Sequence, residues 1–145
     1  MELPRELTEG ATLRGKEFAW TVADFPSVLK RARKLGYACL GGQFQFRPPG
    51  ATCEMYWLSA DPDEREKGES WPAYADRSCA QVLDRFGAAV AASDFHEEAK
   101  RWPDVAELAG AGARPLEHLC FVAYFRKQDQ ASNLSFKPTP SARLN

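Results

Sequence analysis

His118 and Cys120 stand two residues apart in the run LEHLCFVAYF, the closest approach in the chain to a base beside a nucleophile. On a strand that spacing puts both side chains on one face but about 7 Å apart at a rise of ~3.3 Å per residue, too far for a working pair. A zinc site needs paired Cys or His ligands a few residues apart, and His118–Cys120 has no second pair to complete a tetrahedron. His96, the other histidine, lies in the charged run DFHEEAK. Glu54 and Tyr56, with Gln43 and Gln45, have the chemistry to bind and polarise a small substrate. No second carboxylate at a defined spacing supports glycosidase or metal chemistry, and neither GxGxxG nor GK(S/T) marks a phosphate loop. No catalytic residue, metal or cofactor is therefore assigned.

Two non-catalytic constellations stand out. Residues 61–69, DPDEREKGE, bring together Asp61, Asp63, Glu64, Glu66 and Glu69, and Asp94, Glu97 and Glu98 follow later. Clustered carboxylates can steer a basic protein partner. The competing description is a polar loop plus solvated helix faces. The second constellation is Gln43, Gln45, Arg47, Glu54 and Tyr56, a mixed patch able to hydrogen-bond a small ligand or a partner loop. Gly41 and Gly42 precede it and point to a bulge or a close backbone approach. Trp57 and Trp71 read as core residues, whereas Trp20 and Trp102, near element ends, are candidate interface anchors.

The elements that position these residues follow from periodicity. Phe18–Val22 reads as a first strand. Asp24 stands at a cap, Pro26 in the first turn and Gly36 at a stop, bracketing a helix with Phe25, Val28, Leu29, Ala32 and Leu35 on one face. In residues 37–60, two β-rich runs flank Pro48-Pro49-Gly50-Ala51. A four-residue loop pairs Phe46 with Cys53, Gln45 with Glu54, Phe44 with Met55, Gln43 with Tyr56 and Gly42 with Trp57. One face is then Leu40, Phe44, Phe46, Cys53, Met55 and Trp57; the other is polar. Ser70 and Pro72 open the strongest helix, whose apolar residues recur in steps of three and four to about Ala92. Gly87, Ala88 and Ala89 suit close packing beneath it. Ser93 caps a short third helix ended by Pro103. Residues 116–125 are apolar on both alternating faces, the mark of a central strand.

The expected fold is α+β: a small antiparallel sheet of three or four strands, built on hairpin 37–60 and strand 116–125, packed against two or three helices. Residues 1–15 read as a flexible arm, 16–126 as a single domain and 127–145 as a polar tail.

The chain has 145 residues, 44% hydrophobic and 27% charged, with a net charge of −1. That balance argues against a nucleic-acid partner. No apolar run is long enough for a membrane span, and the first residues do not read as a signal peptide. A cytoplasmic location is the expectation, with Cys39, Cys53, Cys79 and Cys120 as free, buried thiols. The small total hides unevenness: residues 1–59 carry +2, 60–110 carry −6 and 111–145 carry +3.

The layout of residues 18–125, with an acidic segment, an aromatic-rich sheet and no catalytic motif, resembles the immunity proteins of bacterial polymorphic and contact-dependent toxin systems. GGQFQF with CEMYWLSADP also resembles segments of small uncharacterised bacterial proteins. The first resemblance implies a protein that binds a toxin domain and blocks its active site, often through acidic residues. The near-neutral total charge departs from strongly acidic immunity proteins and puts a nuclease partner in doubt. Three functions are thus expected in turn: a toxin-neutralising protein-binding module; a small-molecule binder or minor enzyme using the hairpin patch; and a homodimer paired through the sheet face or through Trp20 and Trp102. The state is monomer or homodimer, and whether the hairpin face forms a pocket is open.

Overall fold

The computed structural model describes residues 3–128. Its fold is α+β: a five-stranded antiparallel sheet with helices on one face. The strands are β1 (Thr12–Arg14), β2 (Glu17–Thr21), β3 (Ala38–Phe46), β4 (Cys53–Ala60) and β5 (Leu119–Arg126), in the order β1-β2-β5-β3-β4. The helices are α1 (Arg5–Thr8), α2 (Phe25–Lys34), α3 (Trp71–Ala92), α4 (Phe95–Ala99) and α5 (Pro103–Gly110). As its apolar faces predict, β5 is central, pairing with β2 on one side and β3 on the other. It begins later than expected, because Pro115–His118 form a 3₁₀ turn before it.

The first fifteen residues are not an arm. Arg14 pairs with Glu17 across Gly15-Lys16, with Gly15 at φ +62°, making a tight hairpin that adds an edge strand. Leu7 of α1 is fully buried, and its carbonyl accepts the Trp20 Nε1 hydrogen at 2.7 Å. This segment lacks periodicity because its elements are only three to five residues long. The tail assigned to 127–145 lies, from residue 129 onward, outside the described residues.

The helices form where capping and apolar spacing place them. In α2, Phe25, Val28, Leu29 and Ala32 are buried, and Gly36 at φ +81° ends the helix. Asp24 occupies the cap position without a side-chain cap bond. Ser70 caps α3 by accepting from the Ala73 amide at 3.2 Å. Asp94, and not Ser93, caps α4, accepting from the His96 and Glu97 amides. Gly87 is exposed, with nothing near the place a Cβ would take, so it makes no close packing.

The core lies between the sheet and the helices. Phe25, Phe44, Phe86, Phe95 and Phe121 form its centre, with Phe44 ring centroids 4.9 to 5.3 Å from those of Phe121, Phe95 and Phe86. Cys39, Cys53, Cys79 and Cys120 are free and buried. Burial holds the Cys79 and Cys120 thiols protonated, raising each to about 11. No helix among the described residues is long and apolar enough to cross a membrane.

Candidate functional site

The hairpin keeps its expected register near the turn and loses it beyond. Phe46↔Cys53, Gln45↔Glu54 and Phe44↔Met55 pair as the alternation requires, but Gln43 then pairs with Ser59 and Gly42 with Ala60. Tyr56, Trp57 and Leu58 are therefore lifted out of the ladder as a bulge on edge strand β4. Phe44, beside the shift, packs against Phe86 and Phe95 with ring centroids 5.3 and 5.2 Å away. Trp57 is not a core residue, and Tyr56 does not join the polar patch.

The remaining members of that patch do converge. Gln43 and Gln45 each donate to Glu54 Oε1, at 3.3 and 3.1 Å. Arg47 Nε donates to Gln45 Oε1 at 3.1 Å, while its Nη atoms reach Thr12 O and Oγ1 and Glu17 O at 3.0 to 3.1 Å. Gln43, Gln45 and Arg47 are 1%, 0% and 7% exposed. Burial pulls the Arg47 pKa below its ordinary value. Arg14, missed because it lay in the presumed arm, adds a second guanidinium. It donates to Ala51 O, to Thr52 Oγ1 at 3.0 Å and to Pro48 O at 2.9 Å. The two arginines lash the β3–β4 turn to the N-terminal hairpin, a fixed fork geometry suited to several carbonyls at once. Their N–H groups are spent on protein acceptors, so this patch works as a clamp.

Gly41 and Gly42 also have structural causes. Gly41 has φ +102° at a register shift in β3. A Cβ there would stand 3.0 Å from Asp61 Cα. A Cβ on Gly42 would overlap Val122 O and come within 2.8 Å of Phe121 Cε2.

The acidic residues are drawn into two places. Glu69 is gripped by Arg77 through two bonds of 2.8 Å and accepts from the Glu66 amide, which holds its carboxyl down at about 2. Asp63 accepts from Gln81 Nε2 at 3.0 Å and pairs with Arg85 at 3.2 Å, which together lower its pKa. The Glu64 carbonyl accepts from Arg77 and the Asp61 carbonyl from Arg85, so the loop is strapped to α3. The Glu64 and Glu66 side chains face outward. On α4, Asp94 serves as cap, Glu97 pairs with Lys100 at 2.8 Å, and Glu98 with Arg101 at 3.5 Å. Asp63, Glu69, Glu97 and Glu98 are thus paired with bases of their own segment, which its net of −6 already counts.

A surface that periodicity did not indicate lies beside α4. Tyr56 and Trp57 are each 48% exposed, in a T-shaped contact at 5.3 Å. Trp57 lies parallel to Trp102, with centroids 6.3 Å apart and planes 5° from coplanar, and the Arg101 guanidinium sits 5.9 Å from the Trp57 ring. Trp102 Nε1 and Glu98 Oε1 are buried here without hydrogen-bond partners among the described residues. Trp20, by contrast, is 1% exposed in the core and cannot pair across a two-fold axis. The one available signal was composition: the edge strand carries Tyr and Trp side by side, which alternation cannot bury together.

No protein-family model matches the chain, and no curated protein or solved structure matches it.

Proposed function

We propose that this chain is a protein-binding module, an immunity protein that binds and neutralises a bacterial toxin domain. The observation that carries the reading is the aromatic shelf of Tyr56, Trp57 and Trp102 with Arg101. Tyr, Trp and Arg dominate binding energy at protein interfaces, and here a bulge holds two of the rings outside the core. The same bulge spoils the β4 edge for strand addition, which favours a side-chain-mediated contact. In sequence, acidic residues flank the shelf: Asp94, which caps α4, and Asp61, four residues after Trp57. Rim charges act on association rate, and central aromatics act on residence time.

The separation is the test. Polypeptides encoded beside this chain are co-purified with it, and the captured partner is measured by stopped flow. Asp61→Lys, Glu64→Lys and Glu66→Lys together should slow association about tenfold at low salt, with less effect at high salt. Trp57→Ala should instead raise the dissociation rate, weakening affinity by about 30-fold or more. Unchanged kinetics in both variants would remove this surface from the reading. Survival of cells expressing the partner toxin with wild type, but not with Trp57→Ala, checks neutralisation.

A further inference from the structure

Two acid–base pairs of equal spacing stand side by side on α4 and the turn after it, and they differ. Glu97 and Lys100 close to 2.8 Å with a hydrogen bond. Glu98 and Arg101, one position on, stand 3.5 Å apart, and Glu98 Oε1 is left buried without a hydrogen-bond partner. A charge-assisted bond of this kind ordinarily spans about 2.7–2.9 Å. Arg101 is drawn away by a second contact: its guanidinium carbon sits 5.9 Å from the centroid of the Trp57 ring. That is the outer limit, about 6 Å, for a cation held on an aromatic face. Arg101 therefore fulfils neither contact, and its side chain stays 66% exposed.

We propose that the shelf is a guanidinium site, which the protein partner fills with an arginine side chain in place of Arg101. The inference rests on the protein-binding reading of the shelf and names the chemistry of the partner there. Trp57 offers a half-exposed ring face, and Glu98 a buried carboxylate oxygen that lacks a donor. A planar cation with five N–H donors answers both at once, stacking on the indole while it bonds the carboxylate. The complementarity is one of charge, because the ring face and the carboxylate are both negative. Arg101 is tied to the same backbone turn as Glu98, whereas an arginine from outside is free to approach both groups. An ammonium carries the same charge but has no plane to stack. Trp102 Nε1 is the other buried side-chain atom without a hydrogen-bond partner among the described residues. It is a donor, and the backbone carbonyls that accompany a peptide-borne arginine are acceptors. Orphaned buried groups weaken the free protein, and binding of this kind satisfies them.

The test titrates N-acetylarginine amide into the isotope-labelled full chain while the indole N–H resonances of Trp57 and Trp102 are followed. N-acetylcitrulline amide, neutral and of the same shape, and N-acetyllysine amide are compared with it. The arginine probe should shift both resonances saturably, with the citrulline probe about tenfold weaker or more and the lysine probe about threefold weaker. Glu98→Gln should weaken arginine binding about tenfold. Arg101→Ala should tighten it about threefold, because the internal competitor is gone, while Lys100→Ala should change it less than about twofold. No saturable shift in either wild type or Arg101→Ala overturns the proposal, and so does a lysine or citrulline probe that binds as tightly as arginine. Binding that Arg101→Ala leaves unchanged or weakens overturns it as well. An equal gain in Lys100→Ala does the same, since it assigns the effect to general charge. The toxin-neutralising reading fails separately: arginine binding that is lost in Trp57→Ala upholds the site even where no partner is captured. A captured partner that both Trp57→Ala and Arg101→Ala weaken upholds the shelf as an interface and overturns the guanidinium site.

Discussion

Adding one methyl group at Gly42 or at Gly87 should move stability in opposite directions. At Gly42 the new Cβ overlaps Val122 O and lies within 2.8 Å of Val122 C and Phe121 Cε2. Two of these three atoms are backbone of the central strand, so no side chain can swing aside. Relief requires β3 and β5 to separate locally by more than 1 Å, roughly the overlap removed, which disrupts about two ladder hydrogen bonds at ~1 kcal/mol each. Overpacking against the Phe121 ring adds about 1–3 kcal/mol. The expected cost of Gly42→Ala is therefore about 3–5 kcal/mol. Gly87 lies within α3, exposed, with nothing within 4 Å of its Cβ position. There alanine removes glycine's backbone-entropy penalty and should stabilise by about 0.5–1 kcal/mol. Urea unfolding followed by circular dichroism measures both. At a slope of about 2 kcal/mol/M the Gly42→Ala midpoint falls by about 1.5–2.5 M and the Gly87→Ala midpoint rises by about 0.3–0.5 M. A Gly42→Ala midpoint within about 0.3 M of wild type, or a lowered Gly87→Ala midpoint, would refute the steric account of the GGQFQF motif.

Other perturbations separate the clamp, the shelf and the acidic loop. Arg47→Met leaves Gln45 Oε1, Thr12 O and Glu17 O without the guanidinium they now accept from, and should cost about 3 kcal/mol in the same urea assay. A loss under about 1 kcal/mol would show that the clamp is dispensable. Trp57→Ala removes a half-exposed ring and should cost about 1 kcal/mol, whereas Trp20→Ala empties a core site and should cost about 3–5 kcal/mol. Equal costs would return Trp57 to the core. Glu69, held down at about 2 by Arg77 against an ordinary 4.5, binds fewer protons folded than unfolded near pH 3. Its stabilisation is therefore complete above about 4.5 and lost as pH falls toward 2. Wild-type stability should drop across that window more steeply than that of Arg77→Ala, and parallel profiles would contradict the pairing. Cys79, raised to about 11 by burial, works in the opposite sense. Stability should decline as pH climbs from about 9 to 11, less so in Cys79→Ala.

The chain's local grammar is legible without coordinates. Ser70 followed by apolar residues at steps of three and four specifies α3, because capping and one buried stripe are properties of a single segment. The pairing of Phe46 with Cys53 and Gln45 with Glu54 follows from loop length and alternation, which a turn transmits over its nearest few residues. The two apolar faces of 119–126 mark a strand with neighbours on both sides. Other features depended on chain segments far apart in sequence. β1 is too short for periodicity and forms as the hairpin partner of β2, which itself pairs with β5. Tyr56 and Trp57 leave the ladder at a register shift between Gln43 and Phe44 that the alternation of β4 does not announce. The polar hairpin patch became a clamp because Thr12 and Glu17, about thirty residues upstream, supply its acceptors. The loop acids became straps because α3 presents Arg77 and Arg85 to them. Alternation tells a side chain which way to point; only the assembled core decides whether that direction holds space, a partner or water.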